Sequence, residues 1–205
     1  MELSKYCKTK SIMLNKNFIP FPTLKTERLT LRQLEIDDEQ EIFTLRSDNE
    51  INKYLDRPIS SSVEDARNFI TKINQHILNN AALYWAITLG KNNSLVGTIC
   101  LFGFSDESSN CEIGYELLTN FQGQAIMQEA ANKVIEYAFS IIKVQKIEAS
   151  LHKDNHQSVR LLEKLLFTKS AKVDETNPKL VDICKLFFML PLKFNNKDLF
   201  ELADK

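Results

Sequence analysis

Residues 112–139 read EIGYELLTNFQGQAIMQEAANKVIEYAF, and the pattern of apolar residues changes twice within them. The run from Ile113 to Leu118 has the length and composition of a strand, and a polar loop that contains Gly123 follows it. Beyond the loop, apolar residues recur at helical spacing at Ile126, Ala130, Val134, Ala138 and Ile141. The segment therefore predicts a strand, a glycine-containing loop and a helix in succession.

This predicted junction suits an anion. A loop that leads from a strand into a helix aims unpaired backbone N–H groups and the positive end of the helix dipole at one point. A phosphate can bind there without any lysine or arginine. The alternative is a plain turn in which Gly123 supplies only conformational freedom, and the loop alone does not decide between the two interpretations.

A second strand and helix are predicted at residues 146–167, KIEASLHKDNHQSVRLLEKLLF. Lys146 to Leu151 alternates as a half-buried strand does, and either Asn155 or Ser158 can cap the helix that follows. That helix carries one apolar stripe, at Val159, Leu162, Leu165 and Leu166. The last strand of the chain is predicted at Val181 to Leu190.

Composition limits the class of protein. A chain of 205 residues, 43% hydrophobic and 26% charged, can bury one good core. The 26 basic and 27 acidic side chains give a net charge of −1, so we expect neither a nucleic-acid nor a membrane partner. The four cysteines form no C-x-x-C pair, and no apolar run is long enough to span a membrane. These features predict a cytoplasmic protein whose cysteines are buried thiols.

The predicted elements run β-α-α-β-β-β-α-β-α-β along the chain. Residues 1–23 are interpreted as an N-terminal arm, residues 24–192 as one domain, and residues 193–205 as a C-terminal tail with a short helix. Three consecutive antiparallel strands followed by a strand–helix–strand unit predict an α/β (α+β) fold, a mixed sheet with helices on both faces. The apolar arm and the Phe-containing tail are compatible with a homodimer.

Three local features are predicted in the first third of the chain. Leu24 to Leu34 alternates as one strand, and Ser61–Glu64 reads as a capping box before an amphipathic helix. Ser47 to Ser60 has no periodicity and reads as a loop. Loops of this kind often carry binding groups, so we expect a substrate to approach near it.

Three separated stretches resemble one protein family. They are TERLTLR at 26–32, GYELLTNFQGQAIMQEA at 114–130 and NHQSVRLLEKLLF at 155–167. The second and third are similar to the acetyl-CoA-binding half of the GNAT superfamily of N-acetyltransferases. Together with the first, they look most like the RimJ and RimL branch, the ribosomal-protein N-acetyltransferase type. The resemblance covers roughly residues 24–192 and implies a mostly antiparallel central sheet that is splayed between two parallel strands.

The resemblance also implies where acetyl-CoA, the cosubstrate, would bind. The backbone of the loop would wrap the diphosphate, at Gln122, Gly123, Gln124, Ala125, Ile126 and Met127. Leu117 and Leu118 would offer strand-edge groups to the pantetheine arm. Asn155 and Ser158 would lie beside the pantetheine and thioester, although both residues also suit an ordinary helix start.

Several positions depart from the family pattern. Ala125 stands at the first glycine of the loop motif and Met127 at its second small residue. A Cβ at a backbone position with φ > 0 costs on the order of 1 kcal/mol. Leu166 replaces a glycine, and Leu186 and Phe187 occupy the place of a last-strand Tyr that often serves as the general acid.

Acetyl transfer to an amine requires loss of an ammonium proton, a polarised carbonyl and a proton for the departing thiolate. Glu112 lies where several family members carry a carboxylate base, and its alternative is a solvated strand-end carboxylate. Ser158, Tyr115 or water would supply the proton for the thiolate. His152 and His156 are four residues apart but lack a third ligand, so we expect no metal.

The expected function is therefore acetyl-CoA-dependent N-acetyl transfer by direct attack of a primary amine. The acceptor could be a protein N-terminus, a peptide, a polyamine or a small amine, and the sequence does not identify it. Two alternatives keep the fold: a catalytically weak CoA-binding regulatory or scaffold module, and a protein that binds no CoA.

Overall fold

An eight-stranded sheet organises the computed structural model, which describes residues 13–90, 93–169 and 183–189. Its strands are β1 Leu24–Lys25, β2 Leu29–Gln33, β3 Leu83–Leu89, β4 Ser94–Ser105, β5 Asn110–Leu117, β6 Lys146–His152, β7 Thr168–Lys169 and β8 Ile183–Met189. The helices are α1 Glu39–Ser47, α2 Asn49–Asn52, α3 Val63–Leu78, α4 Ile126–Tyr137, which continues as a π-helical turn at Ala138–Ile142, and α5 His156–Lys164. None of these helices combines the length and the apolar character that a membrane span requires.

The strand order is β1-β2-β3-β4-β5-β6-β8-β7, and every pair is antiparallel except β5 with β6. Helices cover both faces of the sheet. On β3, Tyr84 contacts Phe69 of α3, whereas the next residue, Trp85, contacts Tyr137 of α4. Successive residues of a strand point to opposite faces, so α3 and α4 lie on opposite sides. The predicted mixed, mostly antiparallel sheet with helices on both faces is confirmed.

The parallel seam between β5 and β6 closes at one end only. Its paired residues are Asn110 with Lys146, Cys111 with Ile147, and Glu112 with Glu148. Beyond that point β5 continues to Leu117 while still paired with β4, and β6 continues to His152 while paired with β8. The facing edges of β5 and β6 are therefore separated from Ile113 onward. The predicted splay between two parallel strands is confirmed.

The N-terminal segment packs into the same core as the sheet from residue 13 onward. Leu14 and Phe18 are buried, and the indole Nε1 of Trp85 donates to the carbonyl oxygen of Pro22 at 2.7 Å. The amide of Asn15 donates to the carbonyl of Ile142 at 2.9 Å, at the end of the helix that follows β5. The segment thus ties the central sheet to that helix. The rest of the predicted arm and the tail 193–205 lie outside the described residues.

Three predictions in the first third are wrong in detail. The single strand predicted from Leu24 is a tight hairpin, because the Thr26 amide donates to the Leu29 carbonyl and turns β1 back onto β2. The predicted loop contains helix α2, whose amides are capped by the Asp48 carboxylate. The capping box is formed by Ser62 and Asp65, one residue later than predicted, since Asp in this position also reaches back to the N-cap amide.

Candidate functional site

A cavity of about 490 Å³ occupies the open part of the β5–β6 seam. Its walls come from the end of β5, the loop before α4, helix α5, and the segment that runs from α2 to Leu55. Tyr115 and Glu116 both line it, although adjacent strand residues point to opposite faces of the sheet. The cavity therefore reaches both sides of the sheet.

The loop before α4 presents unpartnered amides to this cavity. Phe121 and Gln122 donate their amides to Leu118 and Thr119, but within the described ranges the amides from Gly123 to Gln128 have no acceptor. Gly123 (φ 73°) and Ala125 (φ 58°) adopt left-handed backbone conformations. Ala125 is the N-cap of α4 and supplies no capping side chain. A diphosphate fits such a loop because it would accept the remaining N–H groups at the positive end of a helix.

Gln122 differs from the rest of the predicted loop set. Its amide is already used within the protein, and its side-chain Nε2 donates to the carbonyl of Leu117 at 3.2 Å. Leu117 lines the cavity, whereas Leu118 packs against the core and donates its amide to Val96. Gly123, Ala125, Ile126 and Met127 all line the cavity, and the last two are buried.

Ala125 carries the left-handed conformation that its sequence position suggested. We expect Ala125→Gly to remove a strain of about 1 kcal/mol and, because the Cβ no longer stands where the backbone approaches the phosphate, to tighten CoA binding by at most about tenfold. Isothermal titration calorimetry with CoA measures this change. A loss of CoA binding in the variant would contradict the assignment of this loop to the diphosphate.

Asn155 and Ser158 meet at the start of α5 and both line the cavity. The Asn155 carboxamide oxygen accepts the amide of Ser158 at 3.1 Å, so Asn155 is the N-cap. Tyr115 also lines the cavity, and its buried hydroxyl has no hydrogen-bond partner in the described part of the chain. Burial raises the pKa of Tyr115 to about 12, and the nearby Ser158 hydroxyl opposes this shift. The phenol therefore remains protonated at neutral pH.

Glu112 lies at the closed end of the seam rather than on the cavity wall. It is paired with Phe102 on β4 and Glu148 on β6, and the Ser150 hydroxyl approaches its Oε2 at 3.5 Å. The Ser150 contact leaves the carboxylate without a strong partner among the described residues. Any contact between Glu112 and an amine in the cavity would have to pass through water.

Glu116 is the carboxylate that does line the cavity, and the sequence analysis missed it. Arg57, from the segment after α2, makes a two-pronged ion pair with it, with Nη1 3.0 Å from Oε1. The Tyr84 hydroxyl donates to Oε1 at 3.2 Å, and Asn52 accepts from Arg57 Nε at 2.7 Å. Burial, followed by the Glu116 charge, raises the pKa of Tyr84 well above its ordinary value, so it stays a donor.

Two basic residues of the cavity wall were also absent from the predicted site. Arg160 and Lys164 lie one turn apart on α5 and line the cavity. Both are exposed, and their spacing on one helix face is visible in the sequence. Their charges suit the phosphates of a nucleotide-like ligand.

His152 and His156, the two histidines at metal-like spacing, lie in different surroundings. His152 stacks on Tyr54 with ring centroids 5.4 Å apart, and its Nδ1 accepts the Asp154 amide at 3.3 Å. His156 is exposed at the first turn of α5. Within ranges 13–90, 93–169 and 183–189, no three metal-ligating side chains are grouped.

Comparison with known proteins adds independent information. Residues 28–168 match the family model described as "Acetyltransferase (GNAT) domain". The chain is 34% identical over 165 residues to the uncharacterized N-acetyltransferase p20 of Bacillus licheniformis, which covers 78% of this chain and 92% of that protein.

Solved structures show the same fold at lower identity. Spermidine N-acetyltransferase from Vibrio cholerae, in complex with CoA and spermine, matches with a TM-score of 0.68 and 22% identity, over 80% of this chain and 96% of that one. Ribosomal-protein-S5-alanine acetyltransferase from Vibrio fischeri matches with a TM-score of 0.69 and 18% identity, over 85% of this chain and 100% of that one. At these identities the likeness concerns the fold alone.

Proposed function

The chain belongs to the GNAT family of acetyltransferases and is an N-acetyltransferase, and from that premise we propose that it transfers the acetyl group of acetyl-CoA to a primary amine by direct attack. One observation carries the proposal: the unpartnered amides from Gly123 to Met127 border a cavity that lies in the open seam between β5 and β6. Such a site holds a diphosphate at one end and an extended thiol-bearing arm along the separated strands.

Most of the predicted residues receive a role in this proposal, whereas Gln122 and Leu118 do not, because their amides are bonded within the protein. The amides of Gly123, Gln124 and Ala125, with those of Ile126 and Met127, would bind the diphosphate, and Arg160 and Lys164 would neutralise phosphate charge. An amide on the open edge of β5 near Leu117 would contact the pantetheine arm. Ser158, whose backbone amide is capped by Asn155, would give its hydroxyl proton to the departing thiolate.

The proton on the attacking ammonium needs a separate route. Glu112 remains the proposed base and would act through water, because its side chain is not on the cavity wall. Glu116 is closer to the cavity, but its two oxygens are held by Arg57 and Tyr84. Both oxygens therefore already accept hydrogen bonds within the protein, and neither is directed at the amine. We therefore propose that Glu116 shapes the acceptor end, the part of the cavity where the amine would bind, and does not transfer the proton.

The acceptor end favours one class of amine over another. It is lined by Ile51, Tyr54 and Leu55, with Glu50 as a carboxylate that has no ion-pair partner in the described ranges. One carboxylate among three apolar side chains suits a single ammonium with an apolar flank, such as a peptide N-terminus or a small amine. Spermine or spermidine would place several ammonium groups there, each requiring its own partner. A ribosomal-protein N-terminus of the RimJ and RimL type remains within the favoured class.

The alternative is a CoA-binding module without catalysis, and it is motivated by Ala125 and Met127. Two measurements distinguish this module from an enzyme. Acetyl-CoA at about 100 times its Kd should stabilise the protein by roughly 2.7 kcal/mol, a rise in Tm of about 5–10 °C. Thiol release should then accompany transfer to apolar-flanked amines. A rise in Tm without thiol release across peptides, polyamines and small amines would favour the module, and no rise at millimolar acetyl-CoA would exclude both.

Ser158→Ala sharpens this test. The variant should keep the rise in Tm with acetyl-CoA and lose about 100-fold in kcat, since it removes only the proton donor. Gln157→Ala, on the same turn of α5 and on the same cavity, is the matched control and should keep its kcat.

A further inference from the structure

The motif TERLTLR at 26–32 supplies a group of contacts that the proposed chemistry does not use. The carboxylate of Glu129, in the first turn of α4, accepts the Thr26 hydroxyl, the Arg28 amide at 3.1 Å and Arg28 Nε at 2.6 Å. Arg28 then extends past Glu129, and its Nη1 donates to the carbonyl oxygen of Gln124 at 3.2 Å. We name these three residues, Thr26, Arg28 and Glu129, the Arg28 clamp.

The contact with Gln124 fixes the orientation of one peptide plane. The peptide bond between Gln124 and Ala125 is trans, so its C=O and N–H point in opposite directions. Because Arg28 holds the C=O, the Ala125 N–H is directed away from Arg28, and Ala125 lies on the cavity wall. That N–H is among the amides without an acceptor in the described ranges.

The loop backbone requires a stabilising contact from another part of the chain. Ala125 has a left-handed conformation that a side chain disfavours, and its neighbours leave their amides unpaired. Other contacts of the loop come from within it or from adjacent turns, such as Gln124 Nε2 to the Asn120 carbonyl at 3.0 Å. Within the part of the chain that the structure describes, Arg28 is the side chain from a distant element that reaches the loop backbone.

We propose that Arg28, held in place by Glu129, is a positioning residue that presets the Gln124–Ala125 peptide for the diphosphate. The proposal rests on the proposed function, since it concerns the same cosubstrate. Arg28 does not line the cavity and acts through the peptide plane rather than by touching the diphosphate. The binding site is thereby formed before the cosubstrate arrives, which reduces the ordering that binding requires.

The charge state of Glu129 is consistent with this role. Burial alone would raise the pKa of Glu129, but the hydrogen bonds from Thr26 and from the Arg28 amide and guanidinium together lower it. The carboxylate therefore stays ionised at neutral pH and keeps its hold on Arg28. The ion pair is partly exposed, so it contributes little to overall stability.

The experiment compares a cosubstrate that has a diphosphate with one that lacks it. Arg28→Met removes the guanidinium donors to Glu129 and Gln124, keeps the backbone amide that donates to Glu129, and retains an unbranched side chain. Arg67→Met is the matched control, because Arg67 is also a partly exposed arginine that pairs with two carboxylates, Glu39 and Glu64, far from the loop. Kd for CoA is measured by isothermal titration calorimetry, and kcat/KM is measured with acetyl-CoA and with S-acetylpantetheine.

We expect the loss of affinity and activity only with the ligands that carry a diphosphate. Arg28→Met should raise Kd for CoA by about tenfold, the effect of losing one charged hydrogen bond, and lower kcat/KM for acetyl-CoA in proportion. It should leave kcat/KM for S-acetylpantetheine within about twofold of wild type, because that donor has no diphosphate to position. Arg28→Lys should recover part of the CoA affinity, since one ammonium can donate to Glu129 or to Gln124 but lacks the arginine fork.

Two results would overturn the proposal. An unchanged Kd for CoA in Arg28→Met would show that the clamp does not act on the loop. An equal loss with acetyl-CoA and S-acetylpantetheine would show a general structural role instead. Failure of the wild-type protein to bind CoA is a different outcome, which removes the proposed function and this inference with it.

Discussion

Phe18→Ala is expected to lower the free energy of unfolding by about 3–5 kcal/mol, the usual effect of emptying a fully buried aromatic site. The Phe18 side chain has no exposed surface and contacts the Phe104 ring, with centroids 5.4 Å apart. Its amide also donates to the Asn80 side chain at 2.9 Å, which links the segment to the end of α3. Urea unfolding followed by circular dichroism measures the change in midpoint and slope.

The control is Met13→Ala, in the same N-terminal segment but with 85% of the residue's surface exposed. Its midpoint should equal that of wild type. A midpoint for Phe18→Ala close to that of Met13→Ala would mean that the N-terminal segment is not part of the core. Residues 13–23 would then belong to a dispensable arm.

Arg57→Met should have the second large effect, a loss of about 3 kcal/mol in unfolding free energy. The change leaves the buried Glu116 carboxylate without its ion-pair partner, and among the described residues only the Tyr84 hydroxyl still donates to it. It also frees the segment that carries Tyr54 and Leu55, so KM for the amine should rise by about tenfold. KM for acetyl-CoA should hardly change, because the loop before α4 is not in contact with Arg57.

A double variant separates the two effects. In Arg57→Met/Glu116→Met both charges are replaced by apolar side chains, and the unfolding free energy should return to within about 1 kcal/mol of wild type. The raised KM for the amine should persist, because the link between the acceptor segment and β5 is still missing. If stability and KM recover together, the ion pair acts only on stability. If stability stays low, the charges are not the cause.

The central elements were predictable because their patterns are local. A strand, a loop with Gly123 and a helix follow from apolar spacing over residues 112–139, and Asn155 acts as the predicted cap. The splay of β5 from β6 came from the family resemblance rather than from spacing. The strain at Ala125 was also foreseeable, since the family pattern has glycine at a position where the backbone is left-handed.

The features that the sequence did not predict depend on contacts between residues far apart in the chain. Arg57 and Glu116 are 59 positions apart, and Arg28 and Glu129 are 101 apart, so no local pattern connects them. Gly97 marks a close approach of β4 to β5 that no local pattern predicts, since a Cβ there would lie 2.5 Å from the Glu116 carbonyl oxygen. Phe18 was not predicted as core, because the segment around it shows no strand or helix periodicity and only its packing makes it core.

The cavity in the open β5–β6 seam is lined from both faces of the sheet, by α5 and the segment with Tyr54 among others. In the proposed reaction the cosubstrate and the amine can therefore occupy it together, and neither must depart before the other arrives. The fold thereby allows both reactants to be held at once, so the enzyme has no need to store the acyl group on one of its own side chains between them.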